Sequence, residues 1–159
     1  MGTYCEADFM FKNYRIVINF YDLGHRCGYV GMPKDHPAYG IGYEKLYDIK
    51  CHGGLTYSDD HAPDKEPDGR WYIGFDCAHS GDCRDTKSII KYFGPPRWTY
   101  PAFEWETLWT QDMVIQECKQ IVEQLEKLLN EAMLYDKQIA PNPEFKKLKA
   151  SVDLIFDPN

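Results

Sequence analysis

Several features are scarce or missing in this 159-residue chain. It has no cysteine pair spaced as CxxC, which argues against a structural zinc knuckle. No apolar run approaches the ~20 residues needed to cross a bilayer, so we expect no membrane-spanning segment. Acidic residues outnumber basic ones and give a net charge of -7 at pH 7, which argues against general binding to duplex DNA or RNA.

Six cysteines are present, an even number that would suit disulfides in a small secreted protein. The first residues, MGTYCEADF, lack the cationic and apolar regions of a signal peptide. We therefore expect reduced thiols in a cytoplasmic protein. The length is typical of one domain with one core, and we predict a single domain over residues 1–159.

The first half of the chain is rich in strand-like runs. Residues 14–21 and 70–76 are strand-like, because alternate residues such as Ile16, Ile18 and Phe20 share one apolar face, and Lys12-Asn13 suits a tight hairpin turn. Gly28, inside another run, predicts close approach of a backbone or a ligand. Residues 46–51 are also β-prone, whereas the acidic segment 59–69 indicates a solvated loop.

The second half is helical in pattern. A long helix is predicted from Thr110 or Asp112 to about Leu134, because its apolar residues recur every three or four positions. A short helix follows a cap at Asp85 or Thr86, and a terminal helix is predicted after Asn142-Pro143. The predicted fold class is α+β: an antiparallel β-sheet of about five or six strands (9–76) packed against one long C-terminal α-helix, with short helices, in a helical part covering 110–156.

Two motifs contain most of the chemically versatile residues. They are CHGGLTYS, residues 51–58, and GFDCAHSGD, residues 74–82. The paired glycines of the first motif predict a bulge or a backbone that presents N–H groups. Together with neighbouring cations and rings, the motifs predict a pocket for a nucleotide-like ligand.

The predicted ligand-binding residues share the ability to hold a phosphate, a ring or a polar edge. They are Arg26, Tyr29, His52, Gly53, Gly54, Thr56, Tyr57, Ser58, Asp76, His79 and Asp82. Arg26 would hold a phosphate and Tyr29 and Tyr57 would stack on a ring. This interpretation needs no cofactor.

An enzymatic alternative stays open. Two imidazoles and a carboxylate can hold a divalent metal that activates water, which would make His52, Asp76, His79 and Asp82 the catalytic set of a phosphohydrolase. The sequence contains no HExxH spacing. A thiolate nucleophile at Cys51 or Cys77, a metal-free histidine base, and a purely structural turn around Asp82 are further alternatives.

A third class of function is indicated by residues 97–109, which hold three tryptophans, a tyrosine and a phenylalanine. Aromatic side chains are enriched at protein interfaces. The segment predicts an inhibitor that binds a host protein, or a contact between copies of the chain, and we expect a homo-oligomer.

The segments GHRCGYV (24–30), HP (36–37), HGGLTYS (52–58), IGFDCAHSGD (73–82) and ECKQIVEQL (117–125) resemble a family of small proteins encoded by phages and prophages. The likeness covers about residues 14 to 130. Small phage proteins often act on host processes, and some sequester or destroy nucleotide immune signals. The resemblance therefore implies a protein of the host-cell cytoplasm that sequesters a nucleotide-like immune signalling molecule, with the hydrolase and inhibitor functions as alternatives.

Overall fold

A computed structural model describes residues 1–136 of the chain. Its elements are β1 (Thr3–Phe11), β2 (Tyr14–Tyr21), β3 (Arg26–Met32), a 3-10 turn (Tyr43–Lys45), β4 (Tyr57–Asp59), β5 (Trp71–Asp76), α1 (Thr86–Phe93) and α2 (Gln111–Asp136). The fold is the predicted α+β class, with a five-stranded antiparallel sheet, one long helix and one shorter helix. The terminal helix predicted after Asn142-Pro143 lies outside the described residues.

The sheet has the strand order β1-β2-β3-β5-β4. The predicted hairpin between β1 and β2 is confirmed: Lys12 and Asn13 have φ values of 47° and 66°. Positive φ at both central residues is the geometry whose twist matches that of antiparallel strands. Strand β1 begins at Thr3, six residues before the predicted start of the sheet, because Thr3 continues the pairing with Tyr21.

One face of the sheet packs against α2. Alternate residues of the central strands point to this face and are fully buried, as the two-residue period of a strand requires. They are Ile16, Ile18, Val30, Ile73 and Phe75. The helix contributes Val114, Cys118, Ile121, Val122 and Leu125. At Gly28 an added Cβ would lie 2.6 Å from Sγ of Cys118 and 2.8 Å from the ring of Phe75, so the close neighbours are side chains and not the predicted backbone or ligand.

The other face of the sheet is covered by the loop between β4 and β5. Ala62 of this loop is fully buried among Val17, Tyr29 and Tyr72. Asn19 Nδ2 donates to the carbonyl of Pro63 at 3.2 Å. The expectation of a solvated loop is therefore wrong for Ala62, which packs on the sheet where Asn19 binds the loop backbone, while Asp64 and residues 66–69 are exposed as expected.

Residues 46–51, predicted as β-prone, form turns that lie along α2. Leu46 and Ile49 are spaced by three residues, so one turn places both in the core. Gln124 holds the segment, since its Oε1 accepts from the Lys50 N–H at 2.7 Å and its Nε2 donates to the Lys50 carbonyl at 2.8 Å. This path carries the chain to the first motif.

The short helix α1 begins at the predicted cap. The carboxylate of Asp85 accepts from the backbone N–H of Ser88 at 3.0 Å, which caps the first turn. Gly94, at φ 88°, ends the helix. Within residues 1–136 no helix has both the length and the apolar composition that a membrane crossing needs.

Candidate metal centre

The sheet topology brings the two motifs together. Strands β4 and β5 are antiparallel with Tyr57 opposite Gly74, so the chain entering β4 meets the chain leaving β5. Thr56 joins them twice: its N–H donates to the Gly74 carbonyl at 2.9 Å, and its hydroxyl donates to Oδ2 of Asp76 at 3.0 Å. The motifs are therefore neighbours in space as well as in sequence.

The loop after β5 is a tight turn built around Asp82. The carboxylate of Asp82 accepts from the N–H of His79 at 2.9 Å, and its own N–H donates to the His79 carbonyl at 3.0 Å. Gly81 adopts φ 93°, which favours glycine. Thr107 fixes the turn from outside, because it bonds to the Gly81 carbonyl and the Cys83 N–H at 2.8 Å each.

Both imidazoles of the motifs converge on the Asp82 carboxylate. His52 Nε2 lies 2.9 Å from each carboxylate oxygen, and His79 Nδ1 lies 3.2 Å from Oδ2. The Asp82 side chain is only 4% exposed, while those of His52 and His79 are 22% and 35% exposed. The centre therefore has a buried anion and two imidazoles that reach solvent.

The protonation of Asp82 follows from these contacts. Burial alone would raise the pKa of its carboxyl, but the hydrogen bonds from His52 and from the backbone and ring of His79 outweigh burial and hold the pKa below its ordinary value. Asp82 is therefore an anion at neutral pH, as a metal ligand must be.

Each imidazole is oriented by further groups. The ring of His52 stacks on Trp109 with centroids 4.1 Å apart. The backbone N–H of His52 donates to Oε1 of Glu117 at 2.7 Å, which fixes the main chain that carries this ring. On the far side of the other ring, His79 Nε2 lies 3.6 Å from Oδ1 of Asp76. That carboxylate is itself held by Thr56 and by the N–H of Ala78.

The first glycine of the HGG motif has a steric role. A Cβ at Gly53 would lie 2.5 Å from Nε2 and 2.8 Å from Nδ1 of His79, distances that real Cβ atoms do not adopt. Gly54 instead bonds through its N–H to the Cys51 carbonyl at 3.0 Å. The glycine pair therefore makes a turn that leaves room for His79.

The His52, His79 and Asp82 set fits a divalent transition metal ion. Its ligand atoms all lie within 4.8 Å of one another. Ligands about 2.0–2.2 Å from a tetrahedral ion are roughly 3.4 Å apart, close to the distances in this cluster. The Asp76 carboxylate lies 3.6 Å from Nε2 of His79, just beyond hydrogen-bond distance, on the side of the ring where a carboxylate commonly supports a ligating histidine.

Arg26, predicted to hold phosphate, is engaged inside the fold. Its guanidinium pairs with Glu6 at 2.7 Å and Asp85 at 2.9 Å. It also donates to the carbonyl of Trp109 at 3.0 Å and to the hydroxyl of Ser88 at 3.1 Å. With its donors bound in this network, we do not include Arg26 in the candidate site.

The two tyrosines predicted to stack on a ligand ring lie on the other face of the sheet. Tyr29 is 5% exposed and its hydroxyl bonds to that of Tyr21 at 2.8 Å. Tyr57 packs edge-on against Tyr29, with ring centroids 5.1 Å apart, and donates to the His61 carbonyl. The hydroxyl of Ser58 accepts from the Tyr43 N–H. The structure therefore groups His52, Gly53, Thr56, Asp76, His79 and Asp82, and separates the others from them.

Trp109 and Glu117 belong to the site but were not predicted. Trp109 closes the aromatic segment whose composition was noted, yet nothing in the sequence paired it with His52. Glu117 lies beside Cys118 on the flank of the apolar face of α2. A polar residue beside the buried face of a helix lies close to the neighbouring segments, and this position could have predicted Glu117 as part of the site.

The cysteines beside the site do not suit nucleophilic attack. Burial raises the pKa of Cys51 to about 12, and it raises the pKa of Cys77 as well. Both thiols therefore stay protonated at neutral pH, whereas the thiolate is the nucleophile. All six cysteines are free in the structure.

Comparison of the chain with protein-family models, with curated proteins and with solved structures finds no match. The resemblance to phage and prophage proteins therefore stays a prediction.

Proposed function

We propose that the chain is a metal-dependent phosphohydrolase whose metal is held by His52, His79 and Asp82. The observation that carries the proposal is the convergence of both imidazoles on one buried carboxylate, with Asp76 placed behind His79. Three protein ligands leave positions for water or substrate, as in catalytic metal sites.

A divalent ion bound there supplies a Lewis acid that lowers the pKa of water and polarises a phosphoryl oxygen. Asp82 contributes the negative charge that balances the ion. Asp76 faces Nε2 of His79 from 3.6 Å and so favours the ring orientation in which Nδ1 points toward the ion. In the overall reaction the water oxygen bonds to phosphorus, the bond from phosphorus to the leaving oxygen breaks, and a water proton passes to the leaving oxygen, so water is the only co-reactant.

Hydrolysis is supported over metal-free sequestration because the residues predicted for sequestration are divided between two faces of the sheet. The guanidinium of Arg26 and the ring of Tyr29 are engaged in the interior. A nucleotide-like substrate and a role against host immune signalling rest on the sequence resemblance.

The test combines metal content with product analysis. Protein purified from cells is assayed by elemental mass spectrometry, then incubated with candidate signalling nucleotides and heat-denatured. We expect one bound transition metal ion and hydrolysed product, both lost in His52→Ala and His79→Ala. His25→Ala, which removes an imidazole outside both this site and the Asp59, Asp60 and His61 group that could also hold an ion, is the matched control. Release of intact nucleotide would favour sequestration, and full activity in the presence of a strong chelator would contradict the proposal.

A second candidate, an inhibitor of a host protein, is favoured by the exposure of the aromatic segment. Trp98 is 78% exposed and Trp105 is 65% exposed. Exposed tryptophans of this kind are typical hot spots of protein interfaces. This candidate predicts host-protein binding that His79→Ala leaves intact and that Trp98→Ala abolishes.

A further inference from the structure

A cavity of about 350 Å³ adjoins the metal centre. It is formed between the turn after β5 and the aromatic segment, and its lining includes Asp82, Cys83, Arg84, Tyr100, Phe103 and Glu106. Its volume falls at the lower end of the range for small-molecule sites. Asp82 belongs both to this cavity and to the metal centre, so the two adjoin at this residue.

Arg84 gives the cavity an available cation. Its guanidinium carbon lies 3.8 Å from the ring centroid of Tyr100, so the planar group stacks on the ring. A stacked guanidinium directs its N–H donors outward in its own plane, where they match a phosphate. Among residues 1–136 no carboxylate lies within ion-pair distance of Arg84, in contrast to the fully engaged Arg26.

The rest of the lining suits a planar ring with hydrogen-bond donors. Phe103 offers an aromatic face and stacks against Trp105 with centroids 5.8 Å apart. Glu106 accepts from the N–H of Phe103 through Oε2 at 3.0 Å, so its carboxylate is held at the cavity wall. A fixed carboxylate accepts hydrogen bonds from base or ribose groups.

The position of this lining is fixed relative to the metal ligands. Asp82 and Arg84 are two residues apart in the chain, so the cavity lining and the metal ligands share one short segment. Thr107 forms an isolated bridge with Asp82 and joins the aromatic segment to it.

We infer that this cavity is the substrate site and that it binds a phosphate ester carrying a planar base, with Arg84 on the phosphate, Phe103 on the ring and Glu106 on its donors. The inference rests on the proposed function for the reaction that follows binding. It places the nucleotide pocket at the aromatic segment and excludes Arg26 and Tyr29, which were predicted to line it.

The experiment is an NMR titration of the full chain in the presence of a chelator, with ribonucleoside monophosphates as probes. Nucleosides and inorganic phosphate are titrated separately. We expect the monophosphates to shift the indole N–H resonance of Trp105. Arg84→Gln should weaken this binding about tenfold, the effect of losing one charge-assisted contact, while nucleoside binding stays unchanged. Arg97→Gln removes an equally exposed charge outside the cavity and serves as the matched control.

Phe103→Leu tests the ring contact without removing the cation, and it should weaken nucleosides and monophosphates alike. Superimposable spectra away from the cavity establish that each variant is folded. Equal monophosphate affinity in Arg84→Gln and Arg97→Gln, or no binding at all, would overturn the inference.

Zinc titration of the same proteins separates this inference from the proposed function. Arg84→Gln should bind zinc normally, and His79→Ala should bind monophosphates normally. Arg84-dependent binding without any zinc affinity would leave the cavity assigned and remove the hydrolase. Zinc affinity without monophosphate binding would leave the metal site of the proposed hydrolase and overturn the assignment of the cavity.

Discussion

Gly53 lies directly against the imidazole of His79, and a Cβ at this residue would overlap the ring. Both glycines have positive φ, 68° at Gly53 and 81° at Gly54. A Cβ added at Gly54, in contrast, would have no atom within 4 Å. The two glycines therefore carry the same backbone demand and differ in one steric contact.

This difference predicts that Gly53→Ala lowers zinc affinity much more than Gly54→Ala. Alanine in the left-handed region lowers the free energy of unfolding by about 1–2 kcal/mol, and this backbone effect should be the same in both variants. Only Gly53→Ala displaces His79. Zinc affinity by calorimetry and stability by urea unfolding separate the two effects, and equal zinc affinities would show that His79 is not a ligand.

Asp76 is predicted to act on the metal through His79. Asp76→Asn keeps the size of the side chain but removes the negative charge facing Nε2 of His79. We expect zinc affinity to fall about 10–100-fold, as is usual for such outer carboxylates. Asp48→Asn, at an exposed carboxylate outside both groups that could hold an ion, is the control and should bind zinc normally. If Asp76→Asn abolished binding completely, Asp76 would be a direct ligand.

The architecture was predictable because its causes are local. The hairpin at Lys12-Asn13, the cap at Asp85 and the spacing of apolar residues in α2 each depend on a few neighbouring residues. The meeting of His52 with Asp82 was partly predictable, because the first motif leads into β4, the second motif leaves β5, and these two strands are antiparallel neighbours. Trp109 and Glu117 were not, since nothing near them in sequence specifies His52 as a partner.

Arg26 was wrongly predicted to bind a ligand for the same reason: its partners are distant in sequence. An arginine at the start of a strand has the same local sequence whether it faces a ligand or an internal carboxylate. Its partners, Glu6 and Asp85, are 20 and 59 residues away. Only the fold determines that these carboxylates surround it.

This network predicts a large stability effect for Arg26→Gln. The change leaves Glu6 and Asp85 without their cation in a site where the Glu6 side chain is 1% exposed. Breaking a buried pair costs about 3–5 kcal/mol. We expect urea unfolding to show this loss, whereas Arg97→Gln on the surface should change stability by less than about 0.5 kcal/mol. A stable Arg26→Gln protein that had lost nucleotide affinity would restore the phosphate-binding role.

His36 is predicted to make the stability of the fold depend on pH. Its Nδ1 accepts from the N–H of Ala38 at 2.9 Å, so Nε2 carries the proton and donates to the Leu125 carbonyl at 2.9 Å. Burial lowers the pKa of His36 below 6.5, against the opposing effects of the Leu125 carbonyl, Glu126 and Asp35. The neutral ring is therefore the form that the folded protein requires.

The direction of this pH dependence follows from proton uptake by the unfolded chain. Between 6.5 and the lower folded pKa the unfolded chain binds a proton at His36 that the folded chain does not. The stabilising contribution is complete above 6.5 and decreases as the pH falls, by at most about 1.4 kcal/mol per pH unit. Urea unfolding of wild type and His36→Gln from about pH 8 to about pH 5 should give a flatter dependence for the variant.

His61→Gln is the matched comparison for this measurement. The contact with Asp60 raises the pKa of the exposed His61, so its contribution has the opposite sign and is present at low pH. Removing it cannot flatten the fall in stability toward acid. Identical slopes for wild type and His36→Gln would mean that Nδ1 of His36 can be protonated inside the fold, and the hydrogen bond from Ala38 would then have to be replaced.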